Sequence, residues 1–229
     1  MQVFASPPPG VRGPTIQTAN GWYFDYTRPS AGRVDIETVA HALSHICRFT
    51  GHCVKFYSVA EHCVRMSYIV PPEDALWALG HEAGEPMVGD MNKPLKMMVP
   101  AYDPIEDGAQ RHILVSVFGL DPDARPDTIK PADWRMLATE QRDLMPKQRA
   151  VRWDAWGFAC EWELIPEEDQ HWTWTHAIEP LPDVIQPWEP TTAKLLFLQR
   201  FRELAFGRDL APMQRGTLLQ QSAQRLVTV

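Results

Sequence analysis

The sequence predicts an all-α fold. Three observations carry that prediction. Apolar residues recur at helical spacing in one segment after another. The segments open on start signals: Asp35, Ser58 followed three residues later by Glu61, and Pro104. They close on stop signals: Gly51, the pair Pro71-Pro72, and Gly119.

In chain order, residues 1–20 hold three consecutive prolines and no periodicity, and read as irregular. "GWYFDYTRP" is aromatic and reads as a short strand or hairpin packed on the body. Asp35 then caps a helix whose Ile36, Val39, Ala40, Leu43 and Ile46 or Cys47 share a face, until "RFTGH" breaks it at Gly51. "SVAE" is a capping box, with Ser58 accepting from the Glu61 amide and Glu61 reaching back. That helix carries His62 and is expected to run to about Val70. Pro71-Pro72 suit the first turn of the next helix, which contains Leu76, Trp77, Leu79 and His81. It is apolar nearly all round, hence central and buried, and Pro86 is expected to end it.

Pro104 begins a helix with Ile105, Ala109, His112, Ile113 and Val117 on one face. After the loop "DPDARPD", a further helix runs from about Thr128 to Leu144 and carries Asp133 and Glu140. Residues 146–190 are rich in Trp and Pro and read as a packed, irregular segment with a short hairpin at "WELIP…WTWTH". "TTAKLLFLQRFRELAFG" is a terminal helix with a Gly stop; its apolar face needs a cover, which a homo-oligomer would supply. The expected organisation is one domain over residues 1–206, with an accessory segment 146–206 and a loose tail 207–229.

Composition bounds the function. A chain of 229 residues supports one or at most two domains. A formal charge of −7 argues against long nucleic acid as a partner, though not against a local basic pocket for a phosphorylated small molecule. No run is long enough for a membrane span, and "MQVFASPPPG" lacks a basic-then-apolar signal pattern, so the expected location is a cytoplasm. Cys47, Cys53, Cys63 and Cys160 form no C-x-x-C pair; reduced thiols are favoured over a zinc cluster of Cys47, His52, Cys53 and Cys63.

The chemistry concentrates in "LGHEAGEPMVGD", Leu79 to Asp90. His62, His81, Glu82 and Asp133 lie on three helical segments, and two imidazoles with two carboxylates make a mixed nitrogen–oxygen set for one divalent metal ion: Mn, Co, Zn, Fe or Mg. Adjacent helical residues point about 100° apart, so His81 and Glu82 reach one ion only where it sits between neighbouring helices. Glu85, four residues after His81, is placed to work on a water rather than to ligate.

The order His62, "HEAGEPMVGD", Asp133 resembles the "H … HD-x-x-E-x-x-x-x-D … D" signature of HD-domain phosphohydrolases. "DIETVAHALSHICRFTGHCVKFYSVAEHCV", "GDMNKPLK", "KPADWRMLATEQRDLM" and the "PW…FLQRFREL" ending are similar to the phage and bacterial branch of that family. This branch resembles the 5′-deoxynucleotidases and the phage dATP triphosphohydrolases. The resemblance spans about Gln17 to Phe206 and implies an HD-type helical bundle. It implies that His62, His81, Glu82 and Asp133 hold the metal and that Glu85 and Asp90 assist catalysis. Arg48 matches the family's phosphate-facing arginine; Lys96, and His52 in the loop beside Arg48, are further phosphate candidates. The implied reaction is hydrolysis of a deoxynucleotide phosphoester or phosphoanhydride by metal-activated water.

The sequence departs from the family at one ligand, where Glu82 stands in place of Asp. The extra methylene shifts the carboxylate by one bond, while metal–oxygen distances tolerate about ±0.2 Å. Two other readings therefore stay open: a nucleotide-binding scaffold that has lost its metal, and a cyclic or signalling-nucleotide phosphodiesterase. Each residue also has a plainer role. Glu85 and Arg48 can pair with opposite charges, Asp90 can cap its own turn, His52 can make a structural hydrogen bond, and Lys93 and Lys96 can be surface charges. Gly84 and Pro86 read as loosening the helix end that carries the pair.

Overall fold

The computed structural model describes residues 13–147, 149–153, 159–164, 175 and 177–206. Helices dominate, in keeping with the all-α expectation: α1 (Ile36–His45), α2 (Val59–Met66), α3 (Ala75–Gly80), α4 (Glu85–Val88), α5 (Lys93–Met98), α6 (Tyr102–Ile113), α7 (Ile129–Leu144) and α8 (Pro190–Ala205). Two antiparallel strand pairs accompany them, β1 (Thr15–Gln17) with β2 (Tyr23–Asp25) and β3 (Arg149–Trp153) with β4 (Ala159–Leu164). Among the described residues, no helix is long and apolar enough to cross a membrane.

Two of the three start signals, Asp35 and Ser58, cap their helices as expected. The Asp35 carboxylate accepts from the Thr38 amide, and Ser58 Oγ accepts from the Glu61 amide at 3.1 Å. The capping box is only half made, because the Glu61 carboxylate turns inward to Arg65 and to the Trp188 amide instead of reaching back. α2 stops at Met66 rather than Val70. Ser67 turns the chain there: its hydroxyl donates to the Val64 carbonyl, while its own oxygens accept from Arg200 of α8.

The central helix is shorter than its apolar run. α3 ends at Gly80, residues 81–84 form a turn, and Pro86 lies in the first turn of α4 instead of ending a helix. Proline's missing N–H costs nothing in a first turn, so the residue that reads as a stop serves as a start. α6 begins at Tyr102, ahead of Pro104; Ala109 and Ile113 are buried on it, whereas Ile105 is exposed. A π-helical turn, Leu114–Phe118, continues α6 to Gly119, whose left-handed φ of 67° closes it. α5, three residues of β1 and the β3–β4 pair are departures from the expected loops. The hairpin at "WELIP…WTWTH" lies largely outside the described residues, as do the tail 207–229 and the Gly stop of α8.

The core forms where α8 lies across α1, α2 and α3, burying Ala193, Phe197, Leu198 and Phe201 against Leu43, Val64 and Leu79. α8 thus finds its cover within the chain, which removes the ground on which an oligomer was expected. β2 closes another side: Phe24 is buried with its ring against Tyr26 and His112, as the aromatic "GWYF" predicts.

Candidate metal centre

His62 projects from α2 and is fully buried. His81 and Glu82 are the first two residues of the turn between α3 and α4. That turn is clamped by Gln110 of α6. Its Nε2 donates to the carbonyls of Gly80 (3.2 Å) and His81 (2.9 Å), and its Oε1 accepts from the Gly84 amide. A Cβ on Gly84 would come 3.0 Å from the Glu106 carbonyl. Gly84 therefore serves close approach to α6 and does not loosen the turn. Asp133 enters from α7.

These four side chains converge. One ligand atom from each of His62, His81, Glu82 and Asp133 lies within 4.8 Å of the others, so the cluster can hold a divalent ion. His81 Nδ1 contacts the Ala78 carbonyl at 2.7 Å, and His62 Nδ1 contacts Glu140 Oε1 at 2.5 Å. Both partners only accept, so both Nδ1 atoms carry a proton, and in the neutral imidazoles both Nε2 atoms are acceptors. Those two Nε2 atoms face one another at 3.1 Å. Glu82 Oε1 lies 3.4 Å from His81 Nε2 and Asp133 Oδ1 lies 3.7 Å from His62 Nε2. Four possible ligand atoms thus face one space that can hold a cation. Glu82 reaches the cluster in spite of its extra methylene.

Glu140 organises the ring behind the cluster. Its Oε1 holds His62, and its Oε2 accepts from Arg48 Nε at 3.1 Å and Nη2 at 3.0 Å. Arg48 Nη1 is directed toward the cluster, 4.0 Å from Glu82 Oε1. The sequence reading left Glu140 and Gln110 without a role. A signal for Glu140 existed: it lies seven residues after Asp133, two turns on, so the two share a face of α7. No comparable pattern marks Gln110.

The other candidates divide. Glu85 is buried, and its Oε2 has no hydrogen-bond partner among the described residues. Burial, with the Glu82 and Asp90 carboxylates nearby, pushes its carboxyl well above the ordinary range. Asp90 is raised by burial and by Glu82, against the pull of Arg48. Burial would also raise Glu82 and Asp133, yet positive charge on the facing imidazoles outweighs it and holds both carboxyls below the usual range; against burial, Glu82 in turn raises His81, so the cluster attracts positive charge. Lys96 lies in the field of Glu82 and Glu85, but its ammonium is held by Glu106 at 2.6 and 2.8 Å. His52 is exposed at the end of the turn that follows Arg48. Cys47, Cys53 and Cys63 are free thiols and share no metal cluster with His52 among the described residues.

No family model matches the chain. The uncharacterized protein YfdR of Escherichia coli (strain K12) is 41% identical over 129 residues, which make up 56% of this chain and 71% of YfdR.

Proposed function

The chain belongs to the family of YfdR, and on that footing we propose that it is a metal-dependent phosphohydrolase acting on deoxynucleotides. One observation carries the proposal: four possible ligand atoms converge within 4.8 Å of one another, beside a buried carboxyl, that of Glu85, one oxygen of which has no partner among the described residues. His62, His81, Glu82 and Asp133 would hold one divalent ion, which supplies Lewis acidity toward a phosphoryl oxygen and lowers the pKa of water. Glu85 accepts or delivers the proton of the attacking water, a task suited by its raised affinity for protons. Arg48, kept cationic by Glu140 and Glu82, offsets charge on the phosphoryl oxygens through Nη1. Glu140 fixes the His62 tautomer. The substrate is a nucleoside mono- or triphosphate of the deoxy series, in line with the resemblance to 5′-deoxynucleotidases and dATP triphosphohydrolases. The reach of Glu82 favours an enzyme over a scaffold that has lost its metal.

The test is a panel of deoxynucleoside mono- and triphosphates and cyclic dinucleotides, assayed with Mn, Co, Zn, Fe and Mg and resolved by product. Hydrolysis of at least one deoxynucleotide is expected, and Glu85→Gln should lower it about 10²–10⁴-fold with metal retained. Inertness toward the whole panel in a metal-loaded protein would overturn the proposal. Cleavage of cyclic dinucleotides alone would turn it to a phosphodiesterase.

A further inference from the structure

Outside the central cluster the chain holds another close pair of imidazoles, on α1. His41 and His45 are four residues apart, so they are neighbours on one face of the helix. Their ring centroids are 4.3 Å apart, with planes inclined by 33°. The rings of His62 and His81, whose Nε2 atoms meet at 3.1 Å, are 5.0 Å apart and inclined by 44°. The α1 pair is thus at least as close as the pair in the candidate metal centre. It is also open to solvent: Val39, Ala40, Leu43 and Ser44 turn into the core, whereas His41 is half-buried and His45 exposed.

The two rings are prepared as ligands. His45 Nδ1 contacts the His41 carbonyl at 2.7 Å, and because a carbonyl only accepts, Nδ1 carries a proton. Ser44 Oγ donates to the same carbonyl at 2.8 Å and lies 3.1 Å from His45 Nδ1. In the neutral ring Nε2 keeps its lone pair, the arrangement in which a backbone carbonyl orients a ligating imidazole. Neither ring nitrogen of His41 has a hydrogen-bond partner among the described residues. Burial, His45 and Lys194 all lower the proton affinity of His41, so its ring is neutral in neutral solution. Glu37, one turn before His41, is engaged by Lys194 at 3.4 Å and Arg202 at 3.7 Å, which offsets part of their charge. His45 is also the last residue of α1, where the partial negative charge of the helix terminus favours a cation.

We propose that His41 and His45 form an accessory site for a divalent ion of the imidazole-preferring class, copper first, then nickel and zinc. The two imidazoles are the protein ligands, and water completes the coordination. Two histidines one helical turn apart have the spacing with which a helix holds zinc on one face. Copper leads because it heads the affinity order for such ligands. Magnesium and manganese favour oxygen ligands, which this pair lacks and which Glu82 and Asp133 supply in the central cluster. An ion held across the last turn of α1 binds the folded helix and not the unfolded chain, so it stabilises the element against which α8 packs. Nothing in this site depends on the function proposed above.

The experiment titrates copper into the full-length protein by calorimetry, for the native chain and for His41→Gln and His45→Gln, with circular dichroism to check that each variant is folded. Both positions lie on the outer face of α1, so the fold should persist. Each variant should bind one equivalent of copper at least about 100-fold more weakly than the native chain, because a single imidazole loses the gain from linked ligands. An excess of magnesium should leave that equivalent in place. Unchanged copper binding in both variants would overturn the proposal. So would a loss in one variant alone, which a single imidazole explains, or displacement by magnesium. The readout is a difference between native and variant chains and requires no turnover. It is obtained whether or not the central cluster takes up an ion, so a failure here is distinct from inertness in the nucleotide panel.

Discussion

Two buried carboxylates, one on α2 and one of α7 that meets it at His62, end in different situations. Glu61 of α2 accepts from Arg65 Nε at 2.8 Å and Nη2 at 2.7 Å through Oε1, and from the Trp188 amide at 2.7 Å through Oε2. Arg65 also lies over the Trp188 ring, 4.7 Å from its centroid. Both oxygens of this knot are used, and it pins the segment that leads into α8. Glu140, on the other side, is also saturated, by Arg48 and His62. Yet the imidazole it holds passes the demand onward, since His62 Nε2 faces another acceptor at 3.1 Å. A buried charge satisfied by its neighbours is architecture; a chain of satisfied groups that ends on converging ligand atoms can hold a cation. The same contrast shows in their proton affinities. Burial outweighs Arg65 and pushes Glu61 up to about 7, whereas Arg48 and His62 outweigh burial and hold Glu140 below the ordinary range.

The largest expected effect tests the architectural half. Arg65→Ala strands Glu61 in the interior and should cost about 3–5 kcal/mol in urea unfolding, with metal affinity unchanged. The knot also has a pH signature. A raised carboxyl contributes stability that is fully present below its unfolded pKa and is lost as pH rises through about 7, so Glu61→Gln should flatten that decline. A lowered carboxyl such as Glu140 contributes the reverse, lost only as pH falls through its folded value. If Arg65→Ala abolished metal binding while the protein stayed folded, the two halves would not be separate.

The next effect tests the other half. Glu140→Gln keeps the shape, removes the charge that holds His62 and Arg48, and should weaken the bound divalent ion about 10–100-fold by competitive chelator titration. Glu61→Gln in the same titration should leave the affinity as it was. Equal losses in both variants would break the comparison. The smallest effect isolates the half-made capping box at the start of α2. Ser58→Ala should cost about 1 kcal/mol in stability, because the Glu61 amide loses its acceptor, and should not alter metal affinity.

Much of the fold was legible because its signals are local. Asp35, Ser58 and Gly119 mark helix ends through bonds or φ angles that span a few residues, and each acts where the sequence places it. Pro86 and Gly84 misled for the opposite reason. Their local meaning, a stop and a loose end, is overruled by α6, whose Gln110 and Glu106 carbonyl hold the turn. The cover of α8 was equally hidden, since an apolar helix face does not say which surface meets it.

The sequence by itself determined the ingredients: an all-helical frame, and two imidazoles and two carboxylates at the spacing of a metal site. Spacing constrains which residues can share a helix face, and helices are short-range objects. The tertiary structure decided that Glu82 reaches the cluster, that Glu140 holds Arg48 through Nε and Nη2, and that Lys96 is held by Glu106. Each of these depends on where two distant segments are fixed to within about an ångström, and that is set by packing against α6, α7 and α8, on which the local sequence is silent.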